Sequence, residues 1–311
     1  MNLPEMQMPE IHSWDQLIAR AKEKAIARKP RAAFITPTEP GMIRACARAV
    51  GDGLVDPILI GDMSTYQKVC DEIGVSVGAS ETIDICAPSR AVATAAEMAG
   101  RGEIEMIIKG RIMTSDMLRE LFSESPFMVK GKTVSHVAVL KPELYRKLLL
   151  VTDGAVVIEP DLPAKLNLIQ NLIRVSKSLG IPQPRIAILA AVEVVYMTMP
   201  VTTEAAIISK MADRGQIKDA FIDGPLSFDV AVDMFAAHSK GVTTSQVAGQ
   251  ADAMLAPNIE TANGLYKGMA LYGHCEQGGV IIGGKVPIAL GSRSDTEQGK
   301  FNSIVLGVLT A

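Results

Sequence analysis

The sequence predicts an α/β protein, a two-domain sandwich of parallel and mixed sheet with helices on both faces and a cleft shared by the domains. Three observations predict it. Short β-branched apolar runs alternate with helix-period segments, the order that builds βα units. Hydrophobic residues make up 48% of the 311 positions, enough to bury a sizeable core. No repeat period or low-complexity linker interrupts the chain. Two coupled units, with the chain returning to the first at its end, therefore fit better than beads on a string. The first unit is read as residues 1–132 plus 279–311, and the second as residues 133–278.

The elements follow in order. Ala32 to Thr36 (AAFIT) reads as a strand, followed by a helix near Gly41 to Val50. Pro57 to Ile60 (PILI) is the next strand, then a helix around Ser64 to Glu72. Ile83 to Cys86 precedes the Ala-rich helix Ala91 to Gly100, and Ile104 to Ile108 ends at Lys109-Gly110. Val134 to Leu140 and Leu148 to Thr152 then stand too close for a crossover helix, so the spacing predicts an antiparallel pair. A long amphipathic helix, Leu162 to Leu179, is closed by Gly180. Arg185 to Ala191 is an apolar strand, and a helix runs from the Thr202-Thr203-Glu204 stretch to about Met211. Ala220 to Ile222 leads into a turn at Asp223-Gly224-Pro225, and Ala253 to Ala256 leads into Pro257-Asn258. Val280 to Ile282 and Pro287 to Leu290 are the last strands, before a terminal helix over Phe301 to Leu309.

Composition excludes several function classes. Charged residues are 21% with a net charge of −3, which fits neither a nucleic-acid nor a membrane-surface binder. Aromatics are 4%, leaving few stacking platforms for single strands. An anionic substrate must then be met by local donors. No apolar run reaches the ~20 residues of a spanning helix. Met1 to Glu10 lacks the basic and apolar regions of a signal peptide. Cys46, Cys70, Cys86 and Cys275 are scattered without a C-x-x-C pair, so reduced thiols and a cytoplasmic location are expected. His12, His136, His238 and His274 form no metal-binding spacing, so no metal site is expected.

Ligands of open parallel sheets collect where strands end and helices begin. Four such corners carry suggestive residues. At Gly291-Ser292-Arg293-Ser294-Asp295, Ser294 and Glu297 have capping-box spacing, which predicts a helix starting near Asp295. Its amides would suit an oxyanion, and Arg293 adds a planar fork for phosphate. At Lys109-Gly110-Arg111, a cation stands at a strand end, glycine permits close approach, and Thr114-Ser115 supply hydroxyls at a helix start. Asp223 stands at the edge of the sheet in its turn. Asn258 is a natural N-cap, with Asn263 a little over one turn inside the helix. Each corner also fits plain capping or turn formation. His136, inside an apolar run, fits a hydrogen-bonded core histidine as well as a neutral base. Gly279 to Lys285 reads G-x-x-x-x-G-K, but Val286 follows where a P-loop needs Ser or Thr, and the stretch is half strand.

Together these corners are recognisable. The blocks IIKGRIMTSDMLRE (Ile107 to Glu120), VSHVAVL (Val134 to Leu140) and LLVTDGAVVIEPDL (Leu149 to Leu162) appear first. LAAVE (Leu189 to Glu193), KMADRGQIKDAFIDGPLSFDVAV (Lys210 to Val232), ADAMLAPNIETANGLYK (Ala251 to Lys267) and GGVIIGGKVPIALGSRSD (Gly278 to Asp295) follow in order. The chain resembles the phosphate acetyl/butyryl transferase family from about Ile35 to Leu309, and SHVAV and DGPLSFD look closer to the butyryl branch. The resemblance implies an architecture similar to isocitrate and isopropylmalate dehydrogenases, with the active site in the cleft between the domains, assembled as a homodimer or higher homo-oligomer. It implies the reaction acyl-CoA + phosphate ⇌ acyl phosphate + CoA, with no covalent enzyme intermediate, no metal and no permanently bound cofactor. Coenzyme A is then a substrate or product. It places Ser292 and Arg293 at the catalytic corner, with Lys109, Gly110, Ser135, His136, Asp223, Asn258, Asn263 and Asp295 as substrate-binding candidates. One departure stands out: the acetyl branch carries an Asp six residues after the Arg, and here that position is Gly299. Asp295 is the nearest carboxylate in sequence. Two alternatives remain at this point, an isocitrate-dehydrogenase-like NAD-dependent oxidoreductase and a non-catalytic acyl-CoA-binding protein.

Overall fold

The computed structural model describes residues 11–123 and 126–311. Met1 to Glu10, on which the signal-peptide reading rests, lie outside the described residues. The chain opens with α1 (Trp14–Ala27) and then alternates β1 (Arg31–Ile35), α2 (Pro40–Gly51), β2 (Asp56–Gly61), α3 (Met63–Ile73), β3 (Glu81–Asp84), α4 (Pro88–Arg101), β4 (Met106–Lys109) and α5 (Thr114–Phe122). β5 (Ser135–Lys141) and β6 (Leu149–Thr152) form a hairpin-like pair before α6 (Leu162–Ser178), β7 (Arg185–Leu189), α7 (Pro200–Asp213) and β8 (Phe221–Leu226). Two short helices, α8 (Phe228–Val232) and α9 (Met234–Ser239), lead to β9 (Ala253–Leu255), α10 (Ile259–Leu271), β10 (Glu276–Ile282), β11 (Ile288–Ala289) and α11 (Glu297–Thr310).

The described strands form one 11-stranded sheet in the order β3-β2-β1-β4-β11-β10-β5-β6-β9-β7-β8. Pairing is parallel at both ends and antiparallel in the middle, where β10 runs against β11 and β5, and β5 against β6. The short link from Lys141 to Leu149 allows no crossover, which is why β5 and β6 pair antiparallel. Alternate residues of β1 enter opposite cores: Ala32 and Phe34 pack on one face, Ala33 and Ile35 on the other. The chain end returns to the first strands. β11 pairs with β4, and α11 lies against α1, α2 and β10. Every residue of α11 from Gly299 to Thr310 is buried, as a helix that is apolar on most sides requires.

Three local expectations change. The Asp223-Gly224-Pro225 turn is instead part of edge strand β8, because Gly224 lacks a Cβ that would stand 2.8 Å from the Ile188 carbonyl. The last helix starts at Glu297, two residues after the capping-box reading. Thr296 takes the cap, accepting from the Gly299 amide at 3.1 Å, while the Ser294 hydroxyl pairs with that of Ser292. α1 was not read from the sequence. Its signal was present as a Ser13–Gln16 capping box followed by Trp14, Leu17, Ala21 and Ala25 on one buried face. The Gly279–Lys285 stretch continues β10 through Ile282, and β11 rather than a helix follows, which disposes of the P-loop. Among the described residues no helix is long and apolar enough to cross a membrane.

Candidate active site

The middle of the sheet is where chain direction changes, and a cavity of about 350 Å³ opens there. Its walls come from the ends of β4 and β11, the start of α5, one face of β5, and α10. Among the described residues three cations line it, Lys109, Lys267 and Arg293, against a single carboxylate, Asp295. A chain with net charge −3 thus concentrates positive charge at one place, as an anionic ligand demands.

The corner after β11 is tightly tied. Asp295 folds back so that its Oδ2 accepts from the Ser292 amide at 2.7 Å, and its own amide donates to the Ser292 carbonyl at 3.1 Å. Gln277 Nε2 donates to Asp295 Oδ1 at 3.1 Å. Buried Lys300 donates to the Asp295 carbonyl at 2.8 Å and lies 3.5 Å from Glu39. These bonds hold Ser292 and Arg293 toward the cavity. Arg293 is exposed, and its Nη2 approaches Met113 Sδ at 3.2 Å. No ion pair joins it to another described residue. Its fork is therefore available to an oxyanion.

Across the cavity stands Lys109, only 5% exposed. Burial, helped by neighbouring Arg293, pulls its ammonium down to about 8. Gly110 follows because nothing larger fits: a Cβ would stand 2.2 Å from the Thr36 carbonyl. The next helix, α5, begins at Thr114 with Met113 in the cap position and no side-chain cap bond. Thr114 and Ser115 face the cavity, so amides and partial positive charge at this helix start are open to an anion.

The remaining wall is built on β5. His136 and Ala138 point into the cavity, as alternate residues of one strand do. His136 is 3% exposed, its Nδ1 has no hydrogen-bond partner, and its ring stands 5.6 Å from that of Tyr266. Gly279 makes room for it, since a Cβ there would meet His136 Nε2 at 2.8 Å. Burial, reinforced by Lys267, pulls the imidazole down to about 4, so it is neutral at physiological pH. Burial pushes Tyr266 up to about 12. Asn263 lines the cavity and donates to the Gly154 carbonyl at 2.8 Å. Beneath it, buried Asp153 accepts from the amides of Ala155, Val156 and Val157 and shapes the loop after β6.

Of the residues read from sequence, the structure brings together Ser292, Arg293, Asp295, Lys109, His136 and Asn263. It sets others apart. Ser135 lies on the opposite face of β5 from His136, fully buried, where its hydroxyl accepts from Asn171 at 2.8 Å. Asp223 lies on β8 at the far edge of the sheet, in a different cavity with Asp219 and Gln246. Asn258 caps α10, accepting from the Thr261 amide at 3.0 Å, while its neighbour Ile259 lines the cavity. Gly110 supports the floor without lining it. The sequence reading missed Tyr266, Lys267 and Gln277. Tyr266 and Lys267 stand three and four residues after Asn263 on one helix, so helical spacing from Asn263 was the available signal.

Residues 88–308 match the family described as Phosphate acetyl/butaryl transferase. The phosphate butyryltransferase of Clostridium acetobutylicum is 38% identical over 301 residues, covering 97% of this chain and 99% of that protein. The phosphate acetyltransferase of Thermotoga maritima is 35% identical, covering 93% of this chain and 98% of that protein. A branched-chain phosphotransacylase from Enterococcus faecalis superposes with a TM-score of 0.77 at 25% identity, covering 90% of this chain and 98% of that one. With a family match over residues 88–308 and 35–38% identity to these relatives over nearly its full length, the chain belongs to the phosphate acetyl/butyryl transferase family.

Proposed function

We propose that the protein is a phosphate acyltransferase that interconverts acyl-CoA plus inorganic phosphate with acyl phosphate plus free CoA, with a short, butyryl-sized acyl group preferred. One observation carries the reading. A single cavity gathers the unpaired guanidinium of Arg293, the buried ammonium of Lys109 and the open start of α5 around Ser292. Hydrated phosphate is a poor nucleophile because it is mobile. Fixing it beside a thioester carbonyl supplies several of the ~7–11 kcal/mol available from orientation. Arg293 and Lys109 hold the phosphate, and Ser292 donates to charge developing on the carbonyl oxygen. Ala138, Ala155 and Ile259 offer an apolar wall for a short acyl chain.

Within this reading the oxidoreductase alternative is not favoured, since the relatives over the whole length are named transferases. The division into residues 1–132 plus 279–311 and residues 133–278 puts contributions from both units on the cavity: Lys109 and Arg293 from one, His136 and Tyr266 from the other. Exposed Tyr196, Met197, Phe228 and Phe235 supply apolar surface for a homodimer, and a cytoplasmic location suits free thiols. The test is thiol release from acetyl-, propionyl-, butyryl- and valeryl-CoA with and without phosphate. Phosphate-dependent release that peaks at butyryl-CoA is expected. Release that ignores phosphate overturns the reading.

A further inference from the structure

We infer that Asp295 is the proton carrier of the transfer, taking the place of the carboxylate that this chain lacks at position 299. The inference rests on the acyltransferase reading and deepens it. Among the described residues Asp295 is the only carboxylate on the cavity wall, on the same turn as Ser292 and Arg293. Its two oxygens accept one hydrogen bond each, from the Ser292 amide and from Gln277, which orients the group and leaves lone pairs free for a proton.

Gly299 lies one helical turn further on, as the third residue of α11. A Cβ built on Gly299 would stand 3.6 Å from Asp295 Cβ, with no neighbour closer than 3.4 Å. A side chain at 299 and the side chain of 295 therefore start from adjacent points, and this chain fills only one of them. Two further acids stand near the cavity without lining it: Asp153 is committed to three loop amides, and Glu39 accepts from the Met42 amide and lies 3.5 Å from Lys300.

The chemistry needs such a carrier. A phosphate oxygen forms a bond to the thioester carbon, and the C–S bond breaks with its electron pair going to sulfur. Phosphate enters as the monoprotonated dianion and leaves as the acyl phosphate dianion, so its hydroxyl proton must reach the departing thiolate. Asp295 takes that proton and passes it to sulfur. In reverse it takes the thiol proton as sulfur attacks the acyl phosphate. Charge and protons balance in both directions without another reactant.

Burial raises the Asp295 carboxyl above its ordinary range, moving it toward a useful basicity. The charged groups that face it are Lys300 of α11, Lys267 of α10 and Lys109 of β4, with Tyr266 of α10 as a further titratable neighbour. The lysines oppose the rise without reversing it. His136, the rival proton acceptor on the same cavity, has its ring packed against Gly279 and Tyr266.

The experiment compares wild type, Asp295→Asn, the double variant Asp295→Asn with Gly299→Asp, and His136→Asn. It reads kcat for phosphate-dependent thiol release across pH. Asp295→Asn is expected to lower kcat about 100-fold and to remove the acidic limb of the profile. The double variant is expected to recover roughly tenfold of that loss, because the relocated carboxylate starts from a neighbouring point. His136→Asn is expected to keep the acidic limb. A turn-holding role for Asp295 alone predicts a higher KM with the limb intact and no recovery from Gly299→Asp. Either that pattern, or loss of the limb in His136→Asn instead, overturns the inference while the wild-type activity still supports the acyltransferase reading. A wild-type enzyme that shows no phosphate-dependent release overturns both.

Discussion

Arg293 and Lys109 are both cations on one cavity, yet one is exposed and the other buried. Arg293 is exposed and presents its fork to solvent. Arg293→Ala is expected to lower kcat/KM for phosphate by about 10²–10³, because a preorganised donor at the reacting centre is lost. Its thermal midpoint should match wild type, since the side chain touches only Met113 among the hydrogen-bonding groups. Arg293→Lys should recover only part of the activity, as an ammonium cannot reproduce the two-pronged fork. Lys109 carries its charge only below about 8. Raising pH through that value removes the proton and the attraction for phosphate, so kcat/KM should fall on the alkaline side. Lys109→Arg should flatten that alkaline limb, and an unchanged limb in this variant would show that another group titrates there. Cavity positions were legible in sequence where a cation ends a strand, as at Lys109, or stands in a strand-to-helix corner, as at Arg293. They were not legible for Tyr266 and Lys267. Only the docking of α10 against β5 brings them to the cavity, and no local pattern encodes that docking.

Elements carry these residues to their places through caps and close approaches. Thr296 caps α11 directly behind the Ser292 turn, so Thr296→Ala should cost about 1 kcal/mol of unfolding free energy. Urea denaturation would read it as a lower midpoint at constant slope. Gly110→Ala is the harsher change. Its Cβ would stand 2.2 Å from the Thr36 carbonyl, a backbone atom that cannot swing away as a side chain would. The ends of β1 and β4 must separate, at a cost of about 2 kcal/mol or more, and Lys109 moves with them. A variant as stable as wild type would mean that this junction is not tightly packed. Strands and helices with a clear period, such as β1 and α6, could be placed from sequence to within a residue or two. The start of α11 could not, because Ser294 and Thr296 both offer cap chemistry and only the tertiary contacts of Asp295 with Gln277 and of Lys300 with Glu39 choose between them. The Asp223-Gly224-Pro225 stretch misled for a similar reason. Turn-forming residues sit in edge strand β8, where a partner is missing on one side and the ladder tolerates them.

At the scale of the molecule, the antiparallel centre of the sheet decides whether the two halves behave as one. β10 matches β5 over seven residue pairs, from Glu276–Lys141 to Ile282–Ser135, and also pairs with β11, which continues to β4. The cavity is built across this seam, so its geometry survives only while the seam is closed. Trp14 is the single tryptophan of the chain and is 2% exposed. Its Nε1 donates to the Glu276 carbonyl at 3.1 Å, and a Cβ at Gly278 would meet its ring at 2.8 Å. Tryptophan fluorescence therefore reports on the seam itself, while far-ultraviolet circular dichroism reports on helices throughout. Helix α11 locks the seam from one side by packing against β10, α1 and α2, and its burial leaves no exposed face along which the halves can part cheaply. The expected outcome in a denaturant titration is one midpoint for both signals, and loss of phosphate-dependent thiol release at or before that midpoint. If fluorescence instead moved first, with most ellipticity retained, the seam would be the weakest part of the fold, and the halves would hold together independently of the site they form.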